Sequence, residues 1–409
     1  MAYLKRQLQQ HILRLSREFP AILLTGPRQV GKTTMLQELV KTEGQKREYV
    51  SLDDLNERDM ARNDPALFFQ LHRPPLFLDE IQYAPELFPY IKIIADREKK
   101  PGLFWLTGSQ LYKMMQGVQE SLAGRAALLN LFSLSQGEIN GIDFPPFLPS
   151  LDSLVKRKET APQMQASEVF ERIWGGSMPA LRSGQVSDRD IFYSSYLSTY
   201  IERDVRELSN SIDSLKFLHF ITAAAARDSQ LVNYKGIADD ADIDQVTVKN
   251  WLTLLETLGI IFYLHPYSNN VLKRTIKTPK LYFYDTGLVC YLTKWSSPQT
   301  AVNGAMSGAL FENYVLSEIM KGYYYHGQRP YFYYYRDKDG KEIDLLIESD
   351  GALHPVEIKK TARPERRMTD TFSIIEKSPL ERGTGAVVCL SETLGAFDQQ
   401  TLIVPVGFL

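Results

Sequence analysis

Eight consecutive residues, Gly26-Pro27-Arg28-Gln29-Val30-Gly31-Lys32-Thr33, constrain this chain more than any other stretch. Their spacing is G-x-x-x-x-G-K-[ST], the pattern of a loop that wraps its backbone N–H groups around phosphates. At average residue usage about one random chain of this length in a hundred carries the four fixed positions, so the flanks decide. Before the loop, Ala21-Ile22-Leu23-Leu24-Thr25 reads as a short buried strand; after it, Thr34 to Val40 opens a helix. A strand turning into a helix through glycine adds the positive potential of a helix N-terminus to the loop amides. Gly26 to Thr34 are therefore expected to cradle the phosphates of a nucleotide. Lys32 would reach the β- and γ-phosphates and the Thr33 hydroxyl would ligate Mg²⁺. Arg28 sits within the loop and is expected to support it.

The rest of the chain must supply a sheet for that strand. Short apolar segments alternate with helical stretches from about 8 to 145: Ala21 to Leu24, Glu48 to Leu52, Leu76 to Leu78, Leu103 to Thr107 and Ala127 to Leu131. This is the texture of a parallel α/β sheet. Asp53 and Asp54 close the second strand and read best as caps. With 409 residues the chain exceeds one ordinary core, so two to four domains are expected. The expected division is a parallel-sheet core over 1–145, a helical region over 146–228, a helix-turn-helix with a wing over 229–300, and a second α/β unit over 301–409.

Charge excludes little: 47 Lys and Arg against 49 Asp and Glu give a formal −2, so only a local patch would mark a nucleic-acid binder. Cys290 and Cys389 lie far apart in apolar surroundings and read as buried thiols in a reducing compartment. The N-terminus lacks an apolar signal region and no run is long enough to span a bilayer, which points to the cytoplasm.

Chemistry concentrates at two places. Leu76-Phe77-Leu78-Asp79-Glu80 is an apolar strand ending in two carboxylates. Asp79 at the end of a strand beside the loop can hold Mg²⁺ through water, and Glu80 can orient and deprotonate the attacking water. Trp105 to Gln110 is a second strand ending in small polar residues, where Ser109 or Thr107 would sense the γ-phosphate. Arg125 follows a short helix and could neutralise transition-state charge in cis or from a neighbouring subunit, with Arg203 as a second candidate.

At the other end of the chain, a helix from Ala309 to Met320 precedes strands Tyr331 to Arg336, Glu342 to Glu348 and His354 to Lys359, joined by good hairpin turns. Alternation puts Glu357 and Lys359 on one face with Ile358 inward. Asp344 joins them if the register allows, and Glu312 could complete the group. Asp344 and Glu357 could hold Mg²⁺ or Mn²⁺, with Lys359 positioning water or stabilising phosphorane charge. This D…E-x-K layout resembles the restriction-endonuclease-like fold. A solvated strand face carrying salt bridges is the plain alternative. The helix-turn-helix, Tyr234–Ala238 and Gln245–Leu258, carries Asp239, Asp240, Asp242 and Asp244 around its turn. Lys235, Lys249, Lys273, Arg274, Lys277 and Lys280 supply a possible basic edge, so DNA binding and protein docking both stay open. Tyr323 to Tyr325 and Tyr331 to Tyr335 are expected to pack strands more than to stack on bases.

Taken in order, Gly26–Thr34 (GPRQVGKTT), Tyr49–Asp54 (YVSLDD), Leu76–Gln82 (LFLDEIQ), Leu106–Gln110 (LTGSQ), Ala123–Arg125 (AGR), Tyr200–Val205 (YIERDV), Leu310–Val315 (LFENYV) and Val356–Lys360 (VEIKK) resemble one prokaryotic family. It is the group of AAA-type P-loop ATPases with a C-terminal domain of unknown function, comprising a winged helix and a restriction-endonuclease-like end. The resemblance implies ATP at Gly26–Thr34, magnesium at Thr33 and Asp79, a catalytic Glu80, and a nuclease-like site at Asp344, Glu357 and Lys359. The expected activity is Mg²⁺-dependent ATP hydrolysis driving a winged-helix and nuclease-like arm, with double-stranded DNA or a protein as partner and a homo-oligomer as a possible assembly. Two alternatives stand beside it: a nucleotide-gated binding switch with little turnover, and an ATP-regulated metal-dependent nuclease.

Overall fold

The computed structural model describes residues 3–44, 46–109, 121–201, 213–267, 278–337 and 339–409. Five strands form the N-terminal sheet: β1 (Ala21–Thr25), β2 (Glu48–Ser51), β3 (Leu76–Asp79), β4 (Phe104–Gly108) and β5 (Ala126–Asn130). Every pairing is parallel, in the order β2-β3-β4-β1-β5. Parallel strands need crossover helices, which cover both faces of the sheet; β1, β3 and β4 are buried at every position, while the edge strands β2 and β5 are partly exposed. Side chains alternate between two cores. Leu23, Leu78 and Leu106 face one core, and Ile22, Leu24, Phe77 and Trp105 face the other, which runs on into the remainder of the chain.

The helices start where local chemistry allows. Asp54 accepts hydrogen bonds from Asn56 N and Glu57 N and so caps helix Leu55–Asn63. Ser135 and Glu138 form a reciprocal capping box for helix Gln136–Asn140. The register aligns the carboxyl ends of the strands, Ser51 with Asp79 and Thr25 with both Gly108 and Asn130. Ligands of open α/β sheets bind outside that edge.

The helix that starts at Arg189 departs from a simple α-helix. It runs Arg189–Tyr196 and widens into a π-turn over Leu197–Ile201; Arg203 lies outside the described residues. Helices Ser214–Ala225, Tyr234–Ala241 and Gln245–Thr257 follow, interleaved with β6 (Gln230–Leu231), β7 (Ile261–Pro266) and β8 (Lys280–Phe283). β8 pairs antiparallel with both β6 and β7.

The C-terminal part opens with a long helix, Ser307–Tyr325, then β9 (Phe332–Arg336), β10 (Glu342–Ser349) and β11 (Ala352–Lys359). The segment Arg366–Lys377 is 3₁₀. Beyond it come β12 (Glu381–Arg382), β13 (Gly385–Cys389) and a hairpin of β14 (Gly395–Asp398) and β15 (Thr401–Pro405), which the sequence reading had not resolved. Through parallel pairing of His265 with Tyr333 and Pro266 with Tyr334, β7 joins β9, and one ten-strand sheet runs from β14 to β6. Both cysteines are buried free thiols, and no described helix is long and apolar enough to cross a membrane.

Candidate functional site

The loop after β1 requires its glycines. Gly26 has φ 142° and Gly31 φ 89°, conformations open chiefly to glycine. A Cβ on Gly26 would also lie 1.9 Å from the Leu131 carbonyl oxygen. Gly31 hands over to helix Lys32–Thr42. Lys32 is buried, and its Nζ donates to the carbonyls of Gly26 (2.9 Å) and Pro27 (2.7 Å). The ammonium is thus folded onto the loop that is to receive phosphate. Arg28 Nη2 reaches the Tyr83 hydroxyl at 3.4 Å. Gln29 and Thr34 are exposed, while Pro27 and Val30 are buried in the loop's supporting side.

Asp79 ends β3 beneath this loop. Thr33 Oγ1 donates to its two carboxylate oxygens at 2.9 and 3.1 Å, the Tyr49 hydroxyl donates at 3.1 Å, and the Thr107 hydroxyl donates as well. Burial raises the Asp79 pKa and the neighbouring Glu80 adds to the rise, against the pull of these hydroxyls. Glu80 itself stands in the left-handed region, φ 58°, a conformation that costs a non-glycine residue and recurs where function demands it. Its backbone N–H donates to Thr107 Oγ1 at 3.2 Å. Its carboxylate accepts from Gln82 Nε2 and from Ser109 Oγ, the latter at 3.3 Å. Gln82 also donates to Ser109 Oγ at 3.2 Å. Lys32, Thr33, Asp79, Glu80 and Ser109 therefore converge at the carboxyl edge of the sheet.

Arg125 does not. It precedes β5, whose first residue pairs with Ala21 at the start of β1, so it sits at the amino edge. Five strand residues separate that edge from the loop, about 13 Å at the usual rise. There it forms a two-point pair with Asp96, 2.6 and 3.0 Å. A role in its own chain's phosphate chemistry is corrected by this placement. The sequence reading missed Tyr49 and Gln82. Tyr49 opens the motif Tyr49–Asp54, but its strand pattern gave no sign that its hydroxyl reaches Asp79. Gln82 could have been found from its position two residues past Glu80.

Two cavities adjoin the loop. One of about 290 Å³ is lined by Tyr3, Arg6, Gly31, Thr34, Pro179 and Gln185 among others. The other, about 540 Å³, lies between the sheet edge (Thr25, Gly26, Ser109, Asn130) and the later domains, including Tyr263, Tyr324 and Arg329.

The second constellation forms on β10 and β11. Leu345 pairs with Val356, which brings Asp344 against Glu357. The β9–β10 register shifts between Ile343 and Leu346, an irregularity that re-aims side chains. Lys359 Nζ lies 2.9 Å from Asp344 Oδ2 and 2.6 Å from Glu357 Oε2. Ile358 N also donates to Asp344 Oδ2 at 2.9 Å. Burial alone would raise Asp344, but the Lys359 and Lys280 charges win and lower it. Burial and then the Asp344 charge push Glu357 up to about 9. Glu312, from the long helix, accepts from Lys280 Nζ (3.0 Å) and the Tyr282 hydroxyl (2.6 Å), and burial raises it to about 7.

Lys280 is thus buried among Glu312, Glu342 and Tyr282 and cannot serve as the basic edge expected of it. Lys273, Arg274 and Lys277 lie outside the described residues. The tyrosines behave mostly as packing: Tyr325 and Tyr334 are buried, Tyr323 donates to Phe147 O at 3.1 Å, and Tyr331 is exposed.

Whether metals suit these residues follows from the donors. At the first site a hydroxyl and a buried carboxylate, Thr33 and Asp79, are hard oxygen ligands in contact, which fits Mg²⁺. At the second, one ammonium engages both carboxylates. Among the described residues no group of three His, Cys, Asp or Glu side chains is placed to hold a metal ion. The C-terminal residues as arranged do not assemble a metal site.

Three stretches match known families. Residues 18–140 match the AAA domain, 166–299 a domain of unknown function (DUF8612), and 307–409 a domain of unknown function (DUF4143). An uncharacterized protein of Mycobacterium tuberculosis is 28% identical over 363 residues, covering 88% of this chain and 75% of that protein. An uncharacterized protein of Methanocaldococcus jannaschii is 24% identical, covering 84% and 76%. Among solved structures, a Walker-type ATPase of Pyrococcus abyssi superposes with a TM-score of 0.44 at 13% identity, covering 70% of this chain and 94% of that one. The Thermotoga maritima RuvB Holliday junction branch migration motor gives 0.30 at 16% identity, covering 62% and 88%. The match to the AAA domain covers the strand, loop and helix that carry Gly26–Thr33 and the strand that ends in Asp79, which supports a P-loop nucleotide-binding fold for the N-terminal part.

Proposed function

We propose that this protein hydrolyses ATP with Mg²⁺ at the carboxyl edge of its N-terminal sheet and that nucleotide state governs the winged-helix and nuclease-like parts that follow. The observation that carries the reading is the meeting of Lys32, Thr33, Asp79, Glu80 and Ser109 at that edge. The loop amides and Lys32 would bind the β- and γ-phosphates. Thr33 and Asp79 would hold Mg²⁺, which when bound supplies charge neutralisation across those phosphates. Glu80 would take a proton from the attacking water and Ser109 would position it. The 290 Å³ cavity beside Gly31 and Thr34 suits the nucleoside.

Glu80 shares its carboxylate with Gln82 and Ser109, so nucleotide must draw it into line before turnover. Phosphate release by wild type against Glu80→Gln tests this. The variant should bind ATP normally and turn over 10²–10⁴-fold more slowly, on the order expected for a lost general base. Equal turnover would remove Glu80 from that role.

A second reading concerns the C-terminal part. Because Lys359 satisfies both Asp344 and Glu357, we infer a nuclease-like fold retained for binding DNA or protein rather than for cutting. Plasmid incubated with wild type in Mg²⁺ or Mn²⁺, with ATP, should stay intact. Cleavage lost in Asp344→Ala would instead establish an ATP-regulated nuclease.

A further inference from the structure

Arg6 is a charged side chain only 3% exposed, lying directly behind the phosphate loop. Its Nη1 donates to Val30 O at 2.6 Å and its Nη2 to Phe132 O at 2.8 Å. Nε lies 3.0 Å from Glu138 Oε1, and Glu138 in turn accepts from Gln7 N and Ser135 N. The peptide between Val30 and Gly31 is planar and trans, so its C=O and N–H point in opposite directions. By fixing the Val30 carbonyl on one side, Arg6 fixes the Gly31 N–H on the other. That N–H is one of the loop amides offered to phosphate. Gly31 has no side chain to do the job itself, and an added Cβ there would meet Arg6 Nη1 at 3.8 Å.

Arg6 has one more partner, and it comes from the far end of the chain. Nη2 donates to the Tyr325 hydroxyl at 3.2 Å, and that hydroxyl donates on to Ser133 O. Tyr325 ends one face of the long helix Ser307–Tyr325. Along that face Tyr314 donates to Gln136 Oε1 (2.7 Å), Glu318 accepts from Gln136 N (2.5 Å) and Lys321 donates to Leu134 O (3.0 Å). Residues 314, 318, 321 and 325 stack at helical spacing. Glu312, about 200° round the helix from Tyr314, faces away toward Lys280 and Tyr282. One rigid helix therefore touches the support of the phosphate loop on one side and the carboxylate–lysine cluster on the other.

We propose that Arg6 is a positioning residue of the nucleotide site and that Tyr325 holds it in place, so that the loop's grip on phosphate depends on how the long helix is seated. This rests on the ATP-binding reading above. It adds that the C-terminal part helps to build the site as well as receiving its signal. The energy at stake is that of hydrogen bonds to a charged group in a dry environment, larger than for neutral pairs.

The test is ATP affinity of the full chain, by calorimetric titration with Mg²⁺ and a slowly hydrolysed ATP analogue. The variants are Tyr325→Phe, Arg6→Lys and the double variant, each with a thermal melt. Tyr325→Phe removes one hydroxyl and keeps the ring. It should weaken binding by about 5- to 20-fold. Arg6→Lys keeps the charge but replaces a planar fork of separate N–H donors, which spans Val30 O, Phe132 O and Tyr325, with one compact ammonium, and should weaken binding at least as much. The double variant should be no worse than Arg6→Lys alone, because the two changes cut one connection. Affinity unchanged in Tyr325→Phe, or losses that simply multiply in the double variant, would overturn the proposal while leaving ATP binding intact. Wild-type protein that binds no nucleotide would overturn the ATP reading itself, and this one with it. A purely structural role would show as a lowered melting temperature with affinity preserved, which also counts against it.

Discussion

The two polar constellations of this chain are built on opposite electrostatic plans. Asp79 is wrapped by hydroxyls from Thr33, Tyr49 and Thr107, whereas Asp344 and Glu357 close around a shared ammonium, Lys359. Hydroxyl groups are neutral and rotate. They can hand a carboxylate to an incoming hydrated cation and accept hydrogen bonds from its waters instead. An ammonium is itself the counter-charge, so a metal ion entering the second site must first displace it from the oxygens of Asp344 and Glu357. The first arrangement is open to ligands and the second is satisfied internally. That difference explains why similar residue types suggest catalysis at one end of the chain and a structural or binding role at the other.

The sharpest way to break this contrast is to remove the lysine from each site. Lys32→Ala should abolish measurable ATP binding, a loss of 100-fold or more on the order expected for a buried charge–phosphate contact, and leave the melting temperature nearly unchanged. Lys359→Ala should do the reverse. ATP affinity should stay at the wild-type level, while urea unfolding shows a loss of about 1–3 kcal/mol, less than a fully buried pair would give because the Lys359 side chain is 37% exposed. If Lys359→Ala proved neutral or stabilising, the carboxylates would be available to a cation after all.

A subtler probe uses pH. Burial and the Asp344 charge raise the Glu357 carboxyl from 4.5 to about 9. A carboxyl raised in the folded state keeps its proton there while the unfolded chain has released it, so stability falls as pH climbs from 4.5 toward about 9. Asp344 is shifted the opposite way and titrates below this window. Melts of Glu357→Gln should therefore be flatter than wild type between about pH 6 and 9; parallel curves would refute the assignment. The smallest effect is expected at Arg125. Its solvent-screened pair with Asp96 at the amino edge contributes little, and Arg125→Ala should change ATP turnover less than about twofold. A large loss would mean that the residue reaches a neighbouring copy's nucleotide.

The sequence made the first site legible because its parts are local. The loop spacing, the Asp79-Glu80 pair at a strand end and the small polar residues after β4 each sit within a few residues of the turn that positions them. Asp54 as a helix cap was legible for the same reason. Arg6 was not: its partners stand 24, 126 and 319 residues away, and no periodicity connects them. Lys280 looked like a surface cation because burial is decided by a helix, Ser307–Tyr325, that lies well downstream. The union of β7 with β9 was equally hidden, since short parallel pairings carry no turn signal. The final hairpin, β14 and β15, escaped because its strands span only four and five residues.

That union has a mechanical side. Where β7 meets β9 only two residue pairs are joined, and one of them contains Pro266, which has no N–H to give. A sheet of ten strands thus narrows to a slender backbone suture between β7, which follows the helices at 234–257, and the strands bearing Asp344 and Glu357. Torque arising on one side would be felt as twist at this suture, and it would load the bonds that cross beside it, from Lys280 to Glu312 and Glu342 and from Asn313 to Asp228.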